Sequence, residues 1–229
     1  MCGIVGYLGD QEAWPIILNG LSQLEYRGYD SAGIAVLDTY GRFSIKKTTG
    51  RVKSLVSDDL TVHPQGTIAL GHTRWATHGP PSYDNAHPHV DCSQRVAVVH
   101  NGIIENFLDL KNRLESEGHI FSSETDSEVI PHLIEVGLSK GNDFTQAFRY
   151  MAKQLKGSQA IVALSQSPEQ VLCGLRLGYA GGLVIAKHKG ETILGSALPA
   201  MLPLFDKDLS SSHEVVFLES EEMVTVTRL

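Results

Sequence analysis

The order of hydrophobic patterns along the chain constrains its fold more than any other feature. Apolar runs typical of strands recur through the first hundred residues, together with one helical segment and one long connection, and return in the last third. Three helical segments stand together between these two regions. Because short turns join many of the strands, we predict largely antiparallel sheets. The pattern favours one layered α+β domain over residues 1–229, with no linker or internal repeat.

Local signals refine this pattern. Three consecutive helices are predicted, at 105–117, 126–139 and 143–156. An earlier helix is predicted to be capped by Asp10, and Tyr40-Gly41 indicates a hairpin turn. Because proline cannot continue a helix normally, Pro131 predicts that the second of the three helices is kinked or begins later. The stretch 76–92, rich in His, Pro, Asn and Gly, is too long for an ordinary connection and is predicted to be functional.

Charge and cysteine content narrow the classes of partner. The net charge is -7, so the chain lacks the basic surface of a nucleic-acid-binding protein, and metabolite partners fit better. No apolar run is long enough to span a bilayer, and the first residues lack the basic flank of a signal peptide. Three cysteines cannot all be paired, which favours a reducing, cytoplasmic location.

Cys2 is the first candidate for chemistry. Removal of Met1 would give Cys2 a free α-amine, so that one residue would hold both a nucleophile and a base. An amine with a pKa of about 8 can accept the thiol proton and return it to a leaving group. The alternative is that Cys2 is a small buried residue at the start of an edge strand.

Five short motifs carry a resemblance to a known family: CGIVG at 2–6, YRGYDSAG at 26–33, GHTRWATHG at 71–79, HNGIIEN at 100–106 and SETDSE at 123–128. In this order they are similar to the glutaminase domain of glutamine:fructose-6-phosphate amidotransferases, which are class II glutamine amidotransferases of the N-terminal nucleophile hydrolase superfamily. The resemblance is dense to about residue 135 and thins afterwards. It implies a four-layer αββα sandwich of two largely antiparallel sheets.

The resemblance assigns the chemical step to three residues. Cys2 would attack the side-chain amide of L-glutamine, ammonia would leave, and water would hydrolyse the thioester to glutamate. Asn101 and Gly102 would stabilise the tetrahedral oxyanion, a task suited to an amide side chain beside an unencumbered backbone N–H. From the residues alone, Asn-Gly is also an ordinary turn signal.

Two charged residues are candidates for the amino-acid end of glutamine. Arg74 would hold the α-carboxylate through parallel hydrogen bonds, and Asp126 would hold the α-ammonium. The alternative for Arg74 is a solvated arginine at a strand end. The alternative for Asp126 is a first-turn acid in a helix capped by Thr125 and Glu128.

The resemblance implies supporting roles for five further residues. Thr77 and His78 would complete the glutamine pocket, and His87 would support it. Trp75 would be a gate that shields the site and lines the exit for ammonia, although an exposed tryptophan also suits a partner contact or a packed hinge. Arg27 would brace the nucleophile end, with a helix-end salt bridge as the alternative.

No cofactor and no metal is expected. The histidines between His72 and His100 lack the HExxH or CxxC spacing of a zinc site. The glycines Gly178, Gly181 and Gly182 are not followed by the lysine and helix of a phosphate-binding loop.

The expected partner lies outside this chain. The family continues into a sugar-isomerase domain that binds fructose 6-phosphate and converts it, with the ammonia, to glucosamine 6-phosphate. The 229 residues contain no such domain. We therefore expect this chain to be the glutaminase half of a longer enzyme that is a homodimer at full length.

The C-terminal third departs from the family pattern. RLGYAGGL at 176–183 and GSALP at 195–199 replace an Arg, Gly, Ser-Pro-Leu pattern and an Ala-Ser-Asp pattern. We expect this departure to alter one wall of the pocket. Two alternative functions stay open: a glutaminase domain serving another acceptor, such as phosphoribosyl pyrophosphate, and a non-catalytic regulatory relative.

Overall fold

The computed structural model describes residues 2–56, 63–166, 171–202 and 214–228. These ranges contain four α-helices: α1 (Ala13–Leu24), α2 (Phe107–Ser116), α3 (Val129–Ser139) and α4 (Phe144–Ala152). The three helices predicted between 105 and 156 are confirmed, with shorter bounds. In the described part of the chain, no helix has the length and apolar character needed to cross a membrane.

The strands form two sheets. The larger has the spatial order β11 (Glu214–Phe217), β9 (Val184–His188), β10 (Glu191–Gly195), β1 (Gly3–Leu8), β4 (Ile68–Arg74), β2 (Ser31–Leu37) and β3 (Phe43–Thr49). The smaller has the order β12 (Met223–Val226), β8 (Leu172–Leu177), β7 (Gln159–Ser165), β6 (Val96–Gly102) and β5 (His89–Val90). Every neighbouring pair is antiparallel, which confirms the prediction from the short turns.

Three apolar layers hold the sheets and helices together. Successive side chains of β1 point to opposite faces: Val5 and Tyr7 pack with α1, whereas Ile4 and Leu8 pack between the two sheets. The outer face of the smaller sheet packs against α2, α3 and α4. The layers are therefore helix, sheet, sheet and helices. This arrangement confirms the four-layer αββα sandwich.

The start of α1 differs from its prediction. The helix begins at Ala13 rather than after Asp10, and its N-cap residue, Glu12, makes no side-chain capping bond. The Ala13 N–H instead donates to the Gly66 carbonyl at 2.8 Å. The Asp10 carboxylate lies 3.6 Å from an Arg228 guanidinium nitrogen. The predicted Asp10 cap is wrong because a backbone carbonyl from a distant segment satisfies the free N–H.

The start of α3 follows the proline signal. The helix begins at Val129, after a 3₁₀ turn at Asp126–Glu128. Pro131 is therefore the third residue of α3, where its missing N–H would have had no partner within the helix. The later start is confirmed. The hairpin at Tyr40-Gly41 is also confirmed, with Gly41 at a φ of +76°, which favours glycine.

Candidate active site

A cavity of about 480 Å³ opens where three strand ends meet. Cys2 immediately precedes β1, Arg74 ends β4, and Asn101 and Gly102 end β6. Because β1 and β4 are antiparallel, with Gly3 opposite Thr73, the start of one lies beside the end of the other. All ten residues predicted for the site line this cavity: Cys2, Arg27, Arg74, Trp75, Thr77, His78, His87, Asn101, Gly102 and Asp126.

The Cys2 thiol lies at one wall of the cavity. Its Sγ accepts the Trp75 N–H at 3.2 Å. Burial raises the pKa of the Cys2 thiol, and the Trp75 N–H only partly opposes this effect. The thiol is therefore mostly protonated at neutral pH. A nucleophile in this state needs a base, and a free α-amine on Cys2 would supply one.

The Asn101 amide is oriented by a neighbouring histidine. Its Nδ2 donates to the Cys2 carbonyl at 3.0 Å, and its Oδ1 lies 3.0 Å from His72 Nε2. His72 Nε2 also faces the His100 carbonyl at 3.1 Å. Because both partners of Nε2 are acceptors, the proton must be on Nε2. Burial lowers the pKa of His72 to about 3, so the ring is neutral and serves as a donor.

We expect His72→Leu to lower the kcat of a reaction at Cys2 about fivefold. The substitution removes one hydrogen bond, worth about 1 kcal/mol, that holds the Asn101 amide towards Cys2. His72→Gln keeps an N–H donor and should restore most of the loss. Steady-state kinetics of both variants check this prediction, with KM expected to change little. Equal losses in the two variants would show that the histidine matters for packing and not for its proton.

Asn101 and Gly102 are strand residues rather than a turn. They pair with Ala160 and Gln159 of β7, so the turn interpretation is wrong. Gly102 has a φ of +135°, and a Cβ there would lie 2.3 Å from the Ser158 carbonyl oxygen. This position therefore admits only glycine, since both the backbone conformation and the space exclude a side chain.

The Arg74 guanidinium is buried against the following loop. The residue is only 4% exposed, so the interpretation as a solvated strand-end arginine is wrong. Its guanidinium donates to the His78 carbonyl, to the Gly79 carbonyl at 3.0 Å and to the Pro80 carbonyl at 3.5 Å. Asp30 Oδ1 lies 4.0 Å from Nη1. Arg74 thus holds loop 78–80 against the cavity while one side of it lines the wall.

Asp126 faces the cavity from the 3₁₀ turn before α3. Its Oδ2 accepts the Ile104 N–H at 2.8 Å, and its Oδ1 lies 3.9 Å from His78 Nδ1. Asp126 is the first residue of the turn, which agrees with the alternative that it is an acidic residue at a helix start. The predicted capping box is nevertheless wrong, because the Thr125 side chain caps nothing and the Glu128 carboxylate is used elsewhere.

The remaining predicted residues surround this centre. Trp75 lines the cavity, is 51% exposed, and its ring meets Tyr29 edge-on at 5.5 Å. Thr77 is exposed beside it. His87 is buried, stacks on His72 at 4.1 Å, and its Nδ1 accepts the His100 N–H at 3.3 Å.

Arg27 is linked to the beginning of β1 through one intervening residue, Ser196. Its guanidinium donates to the Ser196 carbonyl at 3.1 Å. The Ser196 N–H donates to the Ile4 carbonyl, and the Ile4 N–H donates to Ser196 Oγ, both at 3.0 Å. Arg27 therefore supports the beginning of β1, next to Cys2.

Several cavity residues were not singled out from the sequence. His72 lies inside the motif GHTRWATHG, yet only the fold shows that it meets Asn101. Tyr179, Ala180 and Gly181 belong to the divergent segment 176–183 and also line the cavity. The segment that departs from the family pattern therefore forms part of one cavity wall.

Curated relatives are similar to the whole of this chain. Glutamine–fructose-6-phosphate aminotransferase (isomerizing) of Pyrococcus horikoshii is 44% identical over 229 residues, which are 100% of this chain and 36% of the relative. The enzyme of the same name from Methanothermobacter thermautotrophicus is 46% identical over 226 residues, 98% of this chain and 36% of the relative. The chain thus spans about a third of the length of these relatives.

Solved structures show the same fold. A glutamine phosphoribosylpyrophosphate amidotransferase from B. subtilis matches with a TM-score of 0.77 at 24% identity, over 100% of this chain and 49% of that one. An allosteric regulatory enzyme of purine biosynthesis matches with a TM-score of 0.82 at 27% identity, over 99% of this chain and 47% of that one. Both are similar along nearly all of the present chain.

The glutamine amidotransferase domain family matches residues 38–223. This range contains eight of the ten predicted site residues, while Cys2 and Arg27 precede it. The alignment with the Pyrococcus horikoshii relative covers 100% of the chain and so extends over both positions. On this evidence the chain belongs to the glutamine amidotransferase domain family.

Proposed function

We propose that this domain hydrolyses L-glutamine to L-glutamate and ammonia, with Cys2 as the nucleophile. The observation that carries the proposal is the composition of one cavity. A thiol, an oriented amide, a buried guanidinium and a buried carboxylate line its walls together. A substrate with an amide at one end and an amino acid at the other has a partner for each of its groups in this cavity.

The chemical step needs a base, a nucleophile and an oxyanion site. The α-amine of Cys2 accepts the thiol proton, and the thiolate attacks the amide carbon of glutamine. Asn101 Nδ2 and the Gly102 backbone stabilise the oxyanion. The α-amine returns the proton to the leaving nitrogen, ammonia departs, and a thioester remains. The amine then takes a proton from water, and the hydroxide attacks the thioester carbon. The α-ammonium returns its proton to the departing thiolate, which frees glutamate and restores the thiol and the amine.

The binding step assigns the amino-acid end to two residues. Arg74 meets the α-carboxylate and Asp126 meets the α-ammonium, so each charge has a partner of opposite sign. The side chains of Thr77, His78 and His87 complete the pocket. Trp75, with half of its surface exposed at the mouth, closes the cavity over bound glutamine and lines the path of ammonia.

The acceptor of the ammonia lies beyond this domain. We propose fructose 6-phosphate, bound by a sugar-isomerase domain in a homodimeric full-length protein, with glucosamine 6-phosphate as product. The relatives named for this activity are 44% and 46% identical, and the chain spans 36% of each. A phosphoribosyl pyrophosphate acceptor is the second candidate, because the motifs of the resemblance are shared in part by glutaminase domains that serve this acceptor. We further propose that residues 1–229 form one glutaminase domain, located in the cytoplasm.

The decisive test is the release of glutamate and ammonia from glutamine by protein in which Cys2 is the first residue. Asparagine, one methylene shorter, is the matched control, because its amide cannot reach the thiol while its amino-acid end is held. Glutamine turnover well above asparagine turnover supports the proposal. Absence of turnover in folded, processed protein that binds glutamine would favour a regulatory relative.

We expect Asn101→Ala to lower kcat roughly a hundred- to a thousandfold, since an oxyanion donor acts on charge that develops only in the transition state. The ratio kcat/KM should fall by a similar factor, with KM nearly unchanged. Steady-state kinetics at saturating and limiting glutamine check this prediction. A raised KM with unchanged kcat would instead assign Asn101 to ground-state binding.

A further inference from the structure

Four metal-ligating side chains meet outside the active-site cavity. They are Cys92, His119, His132 and Glu135, called here the Cys92 cluster, and each contributes one donor atom. All four donor atoms lie within 4.8 Å of one another. They come from the end of the 76–92 stretch, from the segment after α2, and from two positions three residues apart on α3. None of these residues lines the active-site cavity.

We propose that the Cys92 cluster is a structural zinc site. The expectation of no metal, drawn from the sequence, does not anticipate it, because no zinc motif links these positions. Thiolate, imidazole and carboxylate are the three ligand types that zinc binds in proteins. One thiolate and one carboxylate balance the charge of Zn²⁺, and two neutral imidazoles complete a four-coordinate set.

Four of the six donor–donor distances in the cluster lie within about 0.4 Å of the edges of a zinc tetrahedron. With Zn–S of about 2.3 Å and Zn–N or Zn–O of about 2.0 Å, a tetrahedron has S···N edges of about 3.5 Å and N···O edges of about 3.3 Å. Cys92 Sγ lies 3.7 Å from His119 Nδ1 and 3.6 Å from His132 Nδ1. Glu135 Oε2 lies 3.0 Å and 3.7 Å from the same two nitrogens.

Hydrogen bonds explain these contacts less well than a shared cation does. The His132 ring is 1% exposed, and its Nδ1 lies too far from Glu135 for a normal hydrogen bond. Its Nε2 has no hydrogen-bond partner among the described residues. Glu128 Oε1 faces that nitrogen at 3.9 Å, which favours the proton on Nε2 and leaves the Nδ1 lone pair for a metal.

Backbone N–H groups hold two of the other ligands, Cys92 and Glu135. The Ile120 N–H donates to Cys92 Sγ at 3.4 Å. The Cys92 N–H donates to Glu135 Oε2 at 3.3 Å, and the Ser93 N–H donates to Glu135 Oε1 at 3.2 Å. Such surrounding bonds orient ligands in known zinc sites. Four protein ligands leave no open position for a reacting water, so the site is structural rather than catalytic.

The bound zinc would fasten α3 to two loops. The 3₁₀ turn that precedes α3 carries Asp126, and the 76–92 stretch carries other cavity residues. The metal would thus hold two walls of the cavity in place without touching substrate. Because metal content is measured directly, this proposal stands or fails independently of the glutaminase proposal.

Elemental analysis of the chain, purified without a polyhistidine tag, tests the proposal. We expect about one zinc per chain, falling below about a tenth in Cys92→Ser and in His119→Gln, which alter loop positions. Cys173→Ala removes a thiol far from the cluster and should retain the metal. Cys2→Ala should also retain it, which excludes chelation by an N-terminal cysteine. Zinc that persists in both loop variants would overturn the proposal.

Cobalt substitution gives a second measurement, whose spectrum is recorded on the unaltered chain alone. In the unaltered chain, Co²⁺ bound at the Cys92 cluster should show thiolate-to-cobalt charge-transfer absorption and the intense visible bands of tetrahedral cobalt. A chelator should lower the Tm of the unaltered chain and leave the Tm of His119→Gln unchanged. Failure of the unaltered chain to bind either zinc or cobalt would refute the site.

Discussion

Cys2→Ala should abolish ammonia release from glutamine, lowering kcat by at least about a thousandfold, while glutamine still binds. Binding survives because Arg74 and Asp126, the proposed partners of the substrate charges, are untouched. A glutaminase assay checks the loss of turnover, and isothermal titration with glutamine checks that binding survives. Cys173→Ala, which removes a buried thiol outside the cavity, is the matched control and should keep its turnover.

The position of Cys2 should matter as much as its thiol. Burial raises the pKa of this thiol, so a base is needed, and an α-amine is available only when nothing precedes the residue. Protein with a cleavable leader before Cys2 should be inactive until a protease cuts directly in front of it. Full activity in protein whose intact mass still includes Met1 would contradict this mechanism.

Asp126→Asn should reduce kcat/KM for glutamine by about thirtyfold to a few thousandfold, which corresponds to about 2–5 kcal/mol for an unpaired charge. Asparagine is nearly the same shape as aspartate and can still accept the Ile104 N–H, so the Tm should change little.

Arg74→Ala should reduce kcat/KM for glutamine by a similar factor. In this variant the Tm should fall as well, because the carbonyls of His78 and Gly79 lose the Arg74 donor.

Glu128→Gln is the matched control for Asp126→Asn. Both carboxylates are buried in the same 3₁₀ turn, but Glu128 accepts the N–H groups of Ser122 and Ser123, at 2.9 Å and 2.7 Å, and does not line the cavity. The control should therefore lose stability and keep its kinetics. An Asp126→Asn protein that is unstable but kinetically normal would refute the substrate role of Asp126.

A substrate analogue sharpens this test. A glutamine analogue without the α-amino group is a poor substrate for the unaltered site, because the Asp126 carboxylate then has no partner. In Asp126→Asn this disadvantage should largely disappear. Comparison of kcat/KM for glutamine and the analogue, in both proteins, measures the coupling directly. An unchanged ratio would place the α-ammonium elsewhere.

Much of the fold could be predicted from local patterns. The apolar runs of β1, β4 and β6 predicted the strands, and short turns predicted antiparallel pairing, since both signals come from neighbouring residues. Helix starts were predicted less well. The Asp10 cap failed because the N–H of Ala13 is bonded by Gly66, and the capping box failed because Glu128 accepts from Ser122 and Ser123. Gly66 is distant from Ala13 in the sequence, and Ser122 and Ser123 precede the N-cap position, so the capping pattern includes none of these partners.

The sequence by itself determined the layered α+β class, the resemblance and the ten residues of the candidate site, because periodicity and motif spacing are properties of short segments. Only the tertiary structure decided how these residues act on one another. It placed His72 against Asn101, turned Arg74 towards loop 78–80, and brought the Cys92 cluster together. These contacts depend on the register between strands and on the packing of α3, which joins residues far apart in the chain.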